Sequence, residues 1–196
     1  MMRLRRVTDR AGLAAYARLT EARLGVRYTD EYLSRSRVYA LFDEGGTMRG
    51  GTLYCMRPPF RAIEGIPEPH RAKASASLPR GTFEATGLWL DRSVRAPMVC
   101  AYFWLGIWLV TFLAGRHGVF TYSARVRVLR EIYRFALQRT LYEGEVFCAG
   151  MSAPDHEVVG LATVWTASLR VLIVPWWFVG RVLRRSKSGV AVRHEA

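Results

Sequence analysis

Ala96–Gly115, APMVCAYFWLGIWLVTFLAG, is twenty residues without a charge. It is long enough to span a bilayer. Its reading decides the fold, because it is either a membrane span or the apolar helix of an α/β domain. Trp104 and Trp108 stand mid-run, whereas interfacial aromatics gather at the ends of a span. The flanks are equally basic, with Arg92 and Arg95 before and Arg116 after, so charge sets no orientation. Pro97 suits a first helical position and Gly115 a stop.

The neighbours of this run are strands. TFEATGLWLD (Thr82–Asp91) precedes it, with Gly87 inside marking a bulge or a close backbone approach. VFTYSA (Val119–Ala124) follows it. A span would leave these two strands on opposite sides of a membrane, each short of partners. As a crossover, the run packs on a sheet that contains both. The expectation is therefore a buried crossover helix, with the span as the alternative.

Working outward, LRRV (residues 4–7) suits a first strand. Thr8 or Asp9 then caps a helix through Leu24, with Leu13, Tyr16, Ala17, Thr20 and Leu24 on one stripe and Gly25 as its stop. A short helix follows over Thr29–Ser36. RVYALF (Arg37–Phe42), the turn DEGGTMRG and GGTLYCMR form a hairpin. Residues 58–81 hold five of the eight prolines and read as a long loop with little regular structure. Arg125–Arg139 has helical periodicity. TLYEGEVFC (Thr140–Cys148) and EVVGLATVWTA (Glu157–Ala167) are two final strands, joined by a turn that includes Asp155–Glu157.

A chain of 196 residues is one ordinary domain, here 1–168, with 169–196 as an apolar and then basic tail. The tail stretch VLIVPWWFVG is too short to span. With RVLRRSK behind it, the stretch suits an interfacial anchor on anionic lipid or a last element covering the core. The net charge of +13 calls for an anionic partner. Its arginines are dispersed and no nucleic-acid motif accompanies them, so nucleic acid is not the expected one. Cys55, Cys100 and Cys148 form no disulfide or zinc spacing and lie in apolar runs, which fits a reducing cytoplasm. No apolar leader follows the N-terminal MMRLRRVTDR. The four histidines show no metal spacing, and no Walker, GxSxG or Rossmann signature is present, so no metal is expected.

From Arg3 to Ala167 the order is strand, helix, helix, hairpin, strand, helix, strand, helix, strand, strand. This order resembles the GCN5-related N-acetyltransferase (GNAT) superfamily. GTFEATGLWLD is similar to part of the acyl-homoserine-lactone synthases and N-acyl amino acid synthases, a branch of that superfamily. Glu84 stands where the branch carries a glutamate, and Gly87 where it carries an arginine.

The resemblance implies a mixed central sheet with helices on both faces. Its fourth and fifth strands, Thr82–Asp91 and Val119–Ala124, would splay around an acyl-thioester. It further implies acyl transfer from acyl-CoA or the phosphopantetheine of an acyl carrier protein to a small amine such as an amino acid, with a long chain among the options. A short-chain acetyl-CoA enzyme and a non-enzymatic, basic, membrane-associated protein are the alternatives.

Glu84 would be the general base, directly or through water. Tyr133, in REIYRFAL, would protonate the leaving thiolate, and the backbone N–H near Gly87 or Leu88 would hold the oxyanion. Gly87, Leu88 and Leu90 would contact the thioester. DRSVRAP replaces the family's glycine-rich pyrophosphate loop, so Arg92 and Arg95, at the helix start near Pro97, would bind phosphate. The expected location is the cytoplasm, peripheral to the inner face of the membrane if the tail anchors.

Overall fold

The computed structural model describes residues 2–125, 139–148, 150–151 and 153–171. Its centre is a seven-stranded sheet of order β1-β2-β3-β4-β5-β7-β6. The strands are β1 (Arg3–Val7), β2 (Ser36–Phe42), β3 (Met48–Cys55), β4 (Thr82–Leu90), β5 (His117–Ser123), β6 (Arg139–Val146) and β7 (Asp155–Thr163). All neighbours are antiparallel except β4 and β5. A parallel pair needs a crossover, and α5 (Pro97–Ala114) supplies it. The sequence Ala96–Gly115 is thus the link that makes the sheet mixed.

Helices cover both faces, as expected. On one face lie α1 (Arg10–Leu24), α2 (Asp30–Ser34), α3 (Arg61–Glu64) and α4 (His70–Ala76), around a core that includes Tyr16, Leu33, Ile63, Ala74, Trp89 and Val119. Asp9 starts α1 by accepting from the Gly12 N–H at 2.7 Å, and Gly25 ends it in the left-handed region. Thr29 caps α2. On the other face α5 packs Phe103 and Ile107 on Leu41, and Val110 on the Tyr54–Phe83 pair. The Tyr54 hydroxyl fastens α5 from beneath, donating to the Ile107 carbonyl at 3.2 Å and bonding the Thr111 hydroxyl at 2.7 Å.

Four local expectations are corrected. First, α5 is a crossover but not a buried one. Of its 18 residues only Phe103 and Ile107 are buried, while Met98 is 81 % exposed and Leu113 70 %. No second layer among the described residues covers its outer side.

Second, residues 58–81 contain α3 and α4 rather than an irregular loop. Proline content hid them, because all five prolines fall outside the helices, before, between and after them.

Third, the strand expected over Glu157–Ala167 runs from Asp155 to Thr163 and gives way to α6 (Val164–Val171). Pairing with β5 stops at His117↔Thr163, so later residues have no ladder to join. Asp155–Glu157, expected as a turn, pair with β6 at its other end.

Fourth, simple alternation would place Leu88 on the face of Glu84. A β-bulge in β4 reverses this. Gly51 pairs with Trp89 and Leu53 with Thr86, so Gly87 and Leu88 together oppose Thr52. One extra residue shifts the frame. Leu88 and Leu90 therefore join α5, and Trp89 joins Tyr16 in the opposite core. Of the helix expected over Arg125–Arg139, residues 126–138, with Tyr133, lie outside the described residues, as does the tail beyond Val171, while Arg139 opens β6.

Candidate active site

β4 and β5 are in register over only four pairs, from Thr82↔His117 to Ala85↔Phe120. Past that point β4 bulges and β5 continues alongside β7. The two strands part at their carboxyl ends, the end of a parallel pair where open α/β sheets place ligands. Neither Gly87 nor Leu88 has a register partner on β3 or β5.

The bulge is fixed by its neighbours. Gly87 has φ +64°, a conformation that disfavours a side chain. A Cβ there would also lie 2.6 Å from the Tyr16 hydroxyl and 2.8 Å from that of Tyr28. The Tyr16 hydroxyl donates to the Gly87 carbonyl at 2.7 Å. The Tyr28 and Thr86 hydroxyls lie 3.1 Å apart, in hydrogen-bond contact. Tyr28 stacks on Tyr32 at 5.5 Å between ring centroids.

Tyr32 leads to Glu84, which is fully buried. Its Oε2 accepts from the Tyr32 hydroxyl at 2.6 Å and the Arg61 N–H at 2.8 Å, and its Oε1 accepts from the Ala62 N–H at 2.8 Å. The carboxylate thereby takes the donors that open α3, a helix with no side-chain cap of its own. Burial pushes the Glu84 carboxyl up from its ordinary value. The Tyr32 hydroxyl, the two backbone donors and the Arg61 guanidinium pull it back without cancelling that rise. The same burial, with Glu84 alongside, holds the Tyr32 phenol far above its usual range, so it remains a proton donor. Burial raises Tyr28 to about 12 against the pull of Arg61.

A second carboxylate shares this face. Glu157, on β7, accepts a hydrogen bond from the Thr121 hydroxyl on β5. Burial raises its pKa, while Thr121 and Arg61 lower it. Arg61 is itself buried, with its guanidinium over the Tyr28 ring at 5.7 Å, and it acts on both carboxylates.

Among the expected residues, Glu84 and Gly87 sit at the start of the opening. Leu88 and Leu90 face α5, and Arg92 and Arg95 are exposed just ahead of its N-terminus. Asp91 organises that connection, accepting from the Ser93 N–H at 2.8 Å and pairing with Arg23. Sequence reasoning missed Tyr16, Tyr28, Tyr32, Arg61 and Glu157. They come from four elements and the loop that holds Tyr28, and no one-dimensional spacing joins them. Beside α3 and α4 lies a cavity of about 480 Å³, lined in part by Pro58, Phe60, Ile63, Glu64, Glu68 and Arg71.

No family model and no curated protein matches the sequence. Solved structures do match the fold. FeeM, an N-acyl amino acid synthase from uncultured soil microbes, superposes with TM-score 0.61 at 12 % identity, over 90 % of this chain and 99 % of its own. The AHL synthase LasI gives 0.55 at 11 % identity, over 84 % of this chain and 89 % of its own. NAA60 of Arabidopsis thaliana, bound to a bisubstrate analogue, gives 0.52 at 12 % identity, over 83 % of this chain and 100 % of its own. The bulged fourth strand, its brief parallel pairing with the fifth and these superpositions identify the architecture: the chain has the GNAT fold.

Proposed function

We propose that this protein transfers an acyl group from a thioester to an amine, with the thioester lying where β4 and β5 part. The observation that carries this reading is the end of the β4–β5 register at Ala85↔Phe120, immediately before the bulge at Gly87. The pairing leaves an opening at that point, and the N–H groups of Gly87 and Leu88, which have no register partner on β3 or β5, are the donors assigned to the oxyanion. The similar structures support the chemistry, since FeeM is an N-acyl amino acid synthase and LasI an AHL synthase.

The amine nitrogen attacks the thioester carbonyl carbon, and the carbonyl electrons move onto oxygen. The ammonium proton is taken up through the Tyr32 hydroxyl, directly or by one water. Tyr32 passes its own proton to Glu84 Oε2 along the 2.6 Å hydrogen bond. Glu84 has no exposed surface of its own, so the tyrosine is its route to the opening. Its raised pKa makes it the stronger base. Collapse of the tetrahedral species expels the thiolate, which takes a proton from Tyr133; water then reprotonates the Tyr133 phenolate, and Glu84 returns its proton to water through Tyr32.

The donor is acyl-CoA or an acyl carrier protein. Arg92 and Arg95, beside the N-terminus of α5, take its phosphate, and the basic surface suits either partner. The acceptor is a small amine such as an amino acid, and the segment 58–81 contributes to its site. NAA60 has been solved with acetyl-CoA, so the short-chain reading is tested alongside the long-chain one.

The test offers purified protein a mixture of amino acids with acetyl-CoA, palmitoyl-CoA or palmitoyl-acyl carrier protein, and reads N-acyl products by mass spectrometry. Wild type is expected to form a long-chain amide. Glu84→Gln and Tyr32→Phe are each expected to slow formation about 100-fold. Product from acetyl-CoA alone moves the reading to the short-chain alternative. Equal rates in wild type and both variants overturn the proton route.

A further inference from the structure

We propose that the outward face of α5 is a membrane-docking surface, lying flat in the headgroup region of an anionic bilayer. Met98, Tyr102, Leu105, Leu109 and Leu113 follow one another at three- and four-residue steps, which places them on one line along the helix. All are exposed, Leu105 to 66 %. Trp104 and Trp108 flank this line, and Trp165 of α6, 62 % exposed, extends it through its ring contact with Phe112. Monomeric soluble proteins rarely leave a contiguous apolar patch above a few hundred Å², roughly, in water. Aromatic rings with a polar edge are the side chains that settle at the lipid–water boundary.

The opposite side of α5 decides between lying and spanning. Phe103 and Ile107 are buried against the sheet, and the Tyr54 hydroxyl holds the Ile107–Thr111 turn. A helix fastened along one side to seven strands is not encircled by lipid. It presents its free side, about 27 Å long for 18 residues at the α-helical rise.

Charge selects the lipid. α5 carries no Asp, Glu, Lys, Arg or His, while exposed Arg92 and Arg95 stand ahead of it and exposed Arg116 behind it. Exposed Arg6 lies on the same face of the sheet, because its neighbour Leu4 packs into the α5 cluster and Arg6 is two residues further along β1. Each arginine near an anionic surface adds to the attraction. The same arrangement disfavours a second copy as the occupant. A twofold α5–α5 contact with the helices antiparallel would set Arg92 and Arg95 of one chain against Arg116 of the other. The apolar line takes no part in the proposed acyl transfer, whereas Arg92 and Arg95 are shared with its phosphate site.

Flotation of the full-length protein with vesicles of phosphatidylcholine alone, or phosphatidylcholine with phosphatidylglycerol at about 3:1, tests the surface. Wild type is expected to float with the anionic vesicles, less with the neutral ones, and several-fold less in high salt. The double substitution Leu105→Gln, Leu109→Gln is expected to weaken binding about tenfold or more. Its circular dichroism spectrum should stay that of wild type, since neither side chain is in the core.

A separate pair, Trp176→Ser and Trp177→Ser in the tail, assigns the contribution of that segment. If the α5 double variant binds like wild type and the tail variant does not, the surface is not α5. Failure of wild type to bind either vesicle overturns the proposal. So does a lipid-free dimer that the α5 variant dissociates without loss of vesicle binding.

Discussion

On the face of the sheet that carries α1 to α4, even charged groups are enclosed. Glu84 is fully buried with three hydrogen-bond donors, and Arg61 is buried beside it. On the opposite face, the most apolar segment of the chain leaves most of its length in contact with the surroundings. This inverts the usual expectation that carboxylates lie outside and leucines inside. Each inversion has its own cause. A buried carboxylate persists because its partners are fixed backbone groups and a tyrosine. An exposed apolar helix has no second covering layer among the described residues, and the proposed bilayer surface would supply one.

The comparison is broken most sharply by paired substitutions on α5. Phe103→Ala removes a fully buried ring, and a loss of about 3–5 kcal/mol is expected in urea unfolding. Leu105→Ser, two positions on, removes a hydrophobe of similar bulk. It is expected to change stability by no more than about 0.5 kcal/mol while raising solubility. Similar losses at the two positions would mean that the outer side of α5 is covered in solution.

On the polar face, Gly87→Ala tests the bulge. A left-handed backbone with a side chain costs about 1–2 kcal/mol, and displacing the Tyr16 or Tyr28 hydroxyl adds about 1 kcal/mol. A loss near 2 kcal/mol is expected in the same assay. A neutral result would mean that the bulge relaxes without its glycine.

The smallest effect is a pH slope. The folded pKa of Glu84 is raised above its ordinary value of 4.5. The folded state therefore keeps a proton that the unfolded chain releases. The contribution of Glu84 to stability is greatest below the unfolded value and declines as pH rises from there through the folded value. Unfolding measured across this window is expected to show a shallower decline in Glu84→Gln than in wild type. Parallel curves would mean that its hydrogen bonds offset burial.

Much of the architecture was legible in the sequence. The α1 cap, narrowed to Thr8 or Asp9, the Gly25 stop, the hairpin, the internal Gly87 and the Pro97 helix start each act over a few residues. The site was legible only in part. Glu84 and Gly87 stood out within one strand. Tyr16, Tyr32 and Arg61 reach them across 71, 52 and 23 residues of chain, respectively, and Tyr28 reaches the intervening Thr86 across 58, where no periodicity extends. Burial of α5 was misjudged for a related reason. Apolar composition shows that a helix avoids water, and leaves open whether protein or lipid replaces it.

The four register pairs between β4 and β5 join two otherwise well-knit half-sheets, β1–β4 and β5–β7–β6. They form a seam, and shear or opening of the sheet concentrates there, since every other boundary carries at least five pairs. How wide the two halves can swing apart then becomes a mechanical setting of the domain. It allows guests of different girth to be admitted with little rearrangement inside either half.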